Sequence, residues 1–357
     1  MAVALASAGL VLAACSSSNN NAKSGGSASK SDLFNPSAFH PSWLTKNINA
    51  GGSPTQGGTL KLEGSTDYSA ALDTGGEYET IGYETERVFA RQLVSYPSSS
   101  DINKADTVVP DAATNLGTVS SDGLTYTYHL RSGIMWNTAP PRPVTSQDFL
   151  LGFKRMCDPT LAPLGNPGYY ISTIKGFGDF CTPFENMDPT SSAAARAAYI
   201  NGHQITGITT PDSSTIVFTL AQPAVDFTYI LALPFTSAAP VEYLKYVPVT
   251  PGNPIYSDGP YQVSTYNVGH EVVLTRNPQW KQSTDPIRHA YVDSIDIKLD
   301  LSGSAAASQV QQDMQAGTAD LAFNTNVPPT DIPSLESPRN PQYGAFPTPG
   351  ITNPYLV

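Results

Sequence analysis

At 357 residues the chain is long enough for two or more domains with a sizeable core. Only 14% of it is charged, against roughly 25% in an average soluble protein. The 19 basic and 30 acidic residues leave a formal net charge of -11, which argues against nucleic acid or anionic lipid as a partner. The 31 prolines and 28 glycines imply many loops, yet 40% hydrophobic content keeps the chain out of the disordered class.

In chain order, residues 2–14 form an apolar run that ends in Leu12-Ala13-Ala14-Cys15. Such a run, closed by small residues, reads as a secretion signal, and it is shorter than the roughly 20 apolar residues that span a bilayer. Leu-Ala-Ala-Cys resembles the lipobox of bacterial lipoproteins, where cleavage leaves an acylated cysteine at the new N-terminus. An ordinary signal peptide with an incidental cysteine is the alternative. Signal peptides begin with Lys or Arg, but nothing between Met1 and Cys15 is charged, so the start is expected to be clipped or placed too late. Residues 16–57 follow as a Ser/Asn/Gly tether without hydrophobic periodicity, apart from Phe34, Phe39, Trp43 and Leu44.

Order is expected from Gly58. Thr59-Leu60-Lys61-Leu62-Glu63 alternates as a strand does, and Ile81 to Leu93 carries Val88, Phe89 and Leu93 at helix spacing. Asp122-Gly123 is a turn into a period-two strand, 124–130. Thr145, with Asp148 three residues on, predicts a capped helix from Ser146 to Met156 whose apolar face is Phe149, Leu150, Phe153 and Met156. Strands are predicted at 215–220 and 295–299. A hairpin is predicted from 261–266 and 271–276 around Asn267-Val268-Gly269, a helix at 305–316 and a last strand at 321–323. Mixed elements without a βαβ rhythm suggest α/β lobes with mixed sheets. With Cys15 lipidated, Cys157 and Cys181 remain, and in an oxidising compartment a disulfide is favoured over two buried thiols. The chain-entropy view assigns such a loop roughly 3 kcal/mol.

Six blocks then line up in order. Gly57-Gly58-Thr59-Leu60 precedes Leu72-Asp73, where Thr74 replaces the proline of an "LDP" loop. Residues 122–133 read close to "DGxTYTFxLRxG". Trp136, Pro143-Val144-Thr145 and Asp148-Phe149 follow, with the intervening turn rebuilt as 137–142. Residues 223–240 form a proline-spaced apolar block, Gly259-Pro260-Tyr261 leads to Arg276-Asn277-Pro278 and Trp280, and Gly317 with Asp320 ends a helix. Over residues 57–357 this resembles the large extracytoplasmic solute-binding proteins of ABC importers, the peptide/nickel-type family. Most of these blocks are turns and core positions, so they identify a scaffold rather than a pocket.

Equipment for catalysis is missing from the pattern. His270-Glu271 begins HExxH, but Leu274 stands where the second histidine would be; Gly176-Phe177-Gly178 begins GxGxxG, but Cys181 stands at its last glycine. His40, His129, His203, His270 and His289 show no helical pairing. An enzyme, a cofactor and a directly bound metal are therefore not expected.

The resemblance implies α/β, periplasmic-binding-protein-like (venus flytrap) lobes that close over a ligand, with the closed form recognised by a membrane permease. It divides the chain into a lipoprotein signal peptide (1–15), a tether (16–57), a first lobe (58–75 and 191–350), a second lobe (76–190) and the start of a truncated third lobe (351–357). The expected partners are an oligopeptide ligand, ABC permease subunits and the membrane through a lipid anchor on the extracytoplasmic face. Nickel complexes, haem, sugars and opines are other cargoes of the family. A surface adhesion or sensory module on the same scaffold is the rival reading. Asp67, Tyr68 and Ser69, on the loop after the first strand, are expected to face the ligand, with packing of the lobe interface as their alternative. Tyr169 and Tyr170 are a second candidate patch, or else core. Asn353-Pro354-Tyr355-Leu356-Val357 resembles the strand that crosses to the third lobe, so the chain is expected to continue in a longer protein, beside which this piece would bind ligand far more weakly.

Cys15→Ser, expressed with a restored basic start, should release the protein from the membrane fraction in detergent partitioning. Unchanged partitioning would place the anchor elsewhere.

Overall fold

The computed structural model describes residues 54–331, apart from 65–66, 98, 100–101, 166, 302–305, 327 and 329. The expected signal peptide with Cys15, most of the tether and the strand at 351–357 lie outside the described residues. The elements run β1 (Thr59–Glu63), α1 (Thr80–Glu86), β2 (Val94–Ser95), α2 (Ile102–Ala105), β3 (Val109–Pro110), β4 (Thr118–Val119), β5 (Thr125–His129), β6 (Met135–Trp136) and β7 (Arg142–Pro143). Then come α3 (Ser146–Arg155), α4 (Ala162–Gly165), α5 (Gly168–Thr173), α6 (Phe177–Glu185), α7 (Ala193–Gly202), β8 (Ile208–Asp212), β9 (Thr215–Thr219) and α8 (Phe227–Ile230). The last are β10 (Tyr261–Asn267), β11 (Glu271–Arg276), β12 (Ser294–Lys298), α9 (Ala306–Ala316) and β13 (Leu321–Ala322).

One sheet is mixed, in the order β10-β11-β12-β1-β13. β1 lies parallel to both neighbours, while β10, β11 and β12 are antiparallel. The register sets Glu63 opposite Lys298, whose ammonium reaches its carboxylate at 3.0 Å. Leu62, Val272, Leu274, Ile295 and Ile297 fill its buried face, the alternation that the sequence displays. The second sheet, β4-β5-β9-β8, is antiparallel throughout. Its core is aromatic: Phe153, Phe218 and Phe227 meet edge to face at 5.2 and 5.3 Å.

α3 follows its sequence signal. The Thr145 amide donates to the Asp148 carboxylate at 2.8 Å, and Phe149, Leu150, Phe153 and Met156 are all buried. Gly152 lets this helix touch the chain at Ser237, since a Cβ there would lie 2.2 Å from the Ser237 carbonyl oxygen. Cys157 and Cys181 are disulfide-bonded and buried, 5.0 Å apart at Cα. Cys181 sits within α6.

Two expectations are corrected. The helix predicted over 81–93 ends at Glu86, because tertiary partners capture the backbone beyond it. The Phe89 carbonyl accepts from the Ser257 hydroxyl and the Asp258 and Gly259 amides, and the Val88 carbonyl accepts from the Tyr261 amide. Those bonds compete directly with the helical ladder. Residues 191 to about 240 do not join the first sheet as the expected division at 190/191 requires. β9 pairs with β5 and β8 with β9, and Phe227, Leu231 and Phe235 belong to the aromatic core, so the chain leaves that core only after about residue 240.

Between the two cores lies a buried charge cluster. Arg91 holds Asp111 at 2.8 Å and donates to the Thr284 carbonyl at 2.9 Å. Arg288 pairs with Asp111 at 2.8 Å and with Asp285 at 3.4 Å. Asp258 accepts from the Arg91 amide at 3.0 Å, while its second oxygen finds no donor among the described residues. Burial, with Asp111 adding to it, pushes the Asp258 carboxyl up to about 8. The unfolded chain gives up that proton at lower pH than the folded one, so this contribution to stability is full in acid and is lost as pH rises through about 8. Asp258→Asn should therefore gain stability relative to the parent between about pH 5 and about pH 8. Urea midpoints at the two values test this, and a constant difference would count against a protonated Asp258.

Candidate functional site

The loop between β1 and α1 carries backbone strain. Ala71 and Leu72 are consecutive non-glycine residues at φ 52 and 61, a region that costs about 1–3 kcal/mol per residue unless the surroundings enforce it. Three carboxylates do so. Asp67 accepts from the Tyr68 amide (2.8 Å), the Tyr266 hydroxyl (2.9 Å) and the Gly269 amide (2.6 Å), which ties the loop to the β10–β11 hairpin. Glu77 accepts from the Ser69 hydroxyl and the Ala70 amide at 2.8 and 3.0 Å. Asp73 receives both guanidinium ends of Arg155, at 3.2 and 2.6 Å, and Arg155 lies 4.4 Å over the Tyr243 ring.

Beside this loop runs the segment 246–255, punctuated by Pro248, Pro251, Gly252 and Pro254. Residues 252–255, with Val263 to Tyr266, line an open groove of about 200 Å³. A smaller cleft of about 30 Å³, room for one or two waters, adjoins it between Asp73, Arg155, Tyr246 and Tyr266. Burial and the hydrogen bond to Asp67 both raise the Tyr266 hydroxyl, which stays a neutral donor. Among the described residues no group of three or more His, Cys, Asp or Glu is placed to hold a metal ion.

The candidates from sequence separate sharply here. Asp67 is spent on the hairpin, and Tyr68 is buried with its hydroxyl 2.9 Å from that of Thr85. Both side chains are engaged in holding the loop. Ser69 is exposed, though its hydroxyl is given to Glu77. Tyr170 is core, 2% exposed and packed on Phe153, whereas half-buried Tyr169 donates to Asp226 at 3.1 Å at the surface. Sequence reading missed Glu77, Arg155, Tyr243 and Tyr266. The acidic stretch 73–86, five carboxylates without a basic residue, was the one available signal.

A mixed-sheet lobe and an antiparallel-sheet lobe, with the chain passing twice between them, define a periplasmic-binding-protein-like fold. The chain belongs to the bacterial extracellular solute-binding proteins, family 5, whose middle region matches residues 107–356. It is 26% identical over 270 residues to di/tripeptide-binding protein 4 of Pseudomonas aeruginosa (strain UCBPP-PA14), covering 73% of this chain and 43% of that protein. Heme-binding protein A of Haemophilus influenzae is 24% identical over 333 residues, 90% of this chain and 50% of that one. Among solved structures, clavulanic acid biosynthesis oligopeptide binding protein 2 superposes with a TM-score of 0.68 at 27% identity, covering 81% of this chain and 48% of that one. The chain thus spans about half the length of the relatives it matches.

Asp67→Ala should cost about 1–3 kcal/mol, since it strands the Gly269 amide and the Tyr266 hydroxyl. Urea unfolding measures that cost, and faster exchange of the Gly269 amide would locate it.

Proposed function

We propose that this chain is the substrate-binding component of an ABC importer, capturing oligopeptides outside the cytoplasm and delivering them to a membrane permease. The observation that carries this reading is the match to a solved oligopeptide-binding protein across four-fifths of the chain, joined by a curated di/tripeptide-binding relative. The clamped loop after β1 supports it. A backbone held in a strained conformation by three carboxylates presents fixed main-chain groups, and peptide recognition through the ligand's own backbone needs such groups. A low fraction of charged residues and an open groove suit a ligand whose side chains vary. Ser69 and Tyr169 are the sequence candidates whose exposure still allows contact. Tethering through an acylated Cys15 would keep the loaded protein near its permease. Ligand binding selects a closed form, and the permease reads that form. A second reading, haem capture, rests on the relative that covers 90% of this chain.

Calorimetry of the full chain with a pool of tri- to pentapeptides should give saturable heat with a negative heat-capacity change. A shifted Soret band on adding haem, with no heat from peptides, would favour the second reading and sink the first.

A further inference from the structure

Beneath the strained loop lies a carboxyl group that nothing described above uses. Glu86, the last residue of α1, is 0% exposed, and neither of its oxygens has a hydrogen-bond partner among the described residues. A buried carboxylate without donors is costly, so such a group keeps its proton. Its neighbours make the cost larger. Glu77 and Asp73, two of the three carboxylates that clamp the loop, lie within electrostatic reach, and burial followed by these two charges holds the Glu86 carboxyl well above the usual range. From the loop, Tyr68 also faces it, with its hydroxyl engaged by Thr85, the residue before Glu86. From α1 itself, Tyr83 is the adjacent titratable group. The nearby cation on α3, Arg155, is already committed to Asp73, and Arg87 turns away to the Tyr96 carbonyl. Gly82 completes the arrangement: a Cβ there would fall 1.8 Å from Glu77 Cγ, so only glycine lets Glu77 lie against this helix.

We infer that Glu86 is a positioning residue that acts on the ligand loop through Glu77 and Asp73, holding the loop in place only while its own carboxyl group is uncharged. When Glu86 loses its proton, a third negative charge appears in a dry site beside two carboxylates that cannot move away without releasing the loop. The Ser69 and Ala70 bonds to Glu77 are the first to be lost, because Glu77 has no cation of its own, whereas Asp73 keeps Arg155. Ala71 and Leu72 are then free to leave their left-handed conformation. The clamped loop is therefore complete in acid and loosens as pH rises. Its consequence for ligand capture rests on the peptide reading above; its consequence for the loop does not.

Hydrogen–deuterium exchange of residues 67–76, corrected for intrinsic rates, should be followed from about pH 5 to about pH 9 in the full parent chain and in Glu86→Gln. Glu86→Met, apolar and of similar length, serves beside it if the amide variant folds poorly. Protection of the loop should fall with pH in the parent and stay level in the variants. The parent's affinity for tri-L-alanine should fall by about tenfold or more over the same range, and that of the variants should not. Loop protection that is level in the parent, or that falls equally in parent and variants, would overturn the inference. A pH-dependent loop that the variants level, with no tri-L-alanine binding at any pH, would support Glu86 as the positioning residue and count against peptide capture.

Discussion

The described structure depends on the dry ionic junction where Arg91 and Arg288 meet Asp111, Asp258 and Asp285. The chain passes from the mixed-sheet core to the aromatic core near Arg91 and returns near Asp258. At both crossings the backbone is held by the same groups. Arg91 uses its amide on Asp258 and its side chain on Asp111 and the Thr284 carbonyl, so one residue connects three segments far apart in sequence. Replacing such a cluster with apolar residues can be neutral, but removing one partner leaves a buried charge alone, at a cost of about 3–5 kcal/mol. This explains why α1 stops where it does: the bonds that build the junction take the carbonyls of Val88 and Phe89 out of the helix.

The same economy of charge shapes the candidate site. Asp67, Asp73 and Glu77 each fasten a different point of the β1–α1 loop, to the hairpin, to α3 and to the loop itself. Together they hold two residues in a conformation that isolated chains avoid. On the proposed function, a surface built this way is rigid before its ligand arrives, which lowers the ordering cost of capture. Asp67, the carboxylate that the sequence reading offers to a ligand, fastens the loop to the hairpin, and on the proposed function the groups left for contact are main chain, Ser69, Tyr169 and the groove beside Tyr266.

Family membership and fold agree with the order of turn and strand signals along the chain. The relatives differ in what they are named for, a di/tripeptide in one and haem in another. Discrimination between such cargoes comes from a few exposed groups around a common scaffold. The loop, its clamps and the adjoining segment 246–255 are the places to look for it.

The sequence by itself determined the local elements whose signals are short in range. These are the alternating strands 59–63, 125–129 and 294–298, the Thr145 cap of α3, and the hairpin at Asn267-Val268-Gly269. Each is decided by side chains within a few residues, and a periodicity or a turn dipeptide records them. Only the tertiary structure decided the length of α1, the allegiance of β8 and β9 to β5, and the duties of Asp67, Tyr68 and Tyr170. In each case the deciding partner is distant along the chain. Ser257 to Gly259 end the helix, β5 claims β9 and with it β8, and Tyr266, Thr85 and Phe153 occupy the three side chains. A buried carboxylate and a ligand-facing one look alike in sequence, and what separates them is which donors the fold brings within about 3 Å.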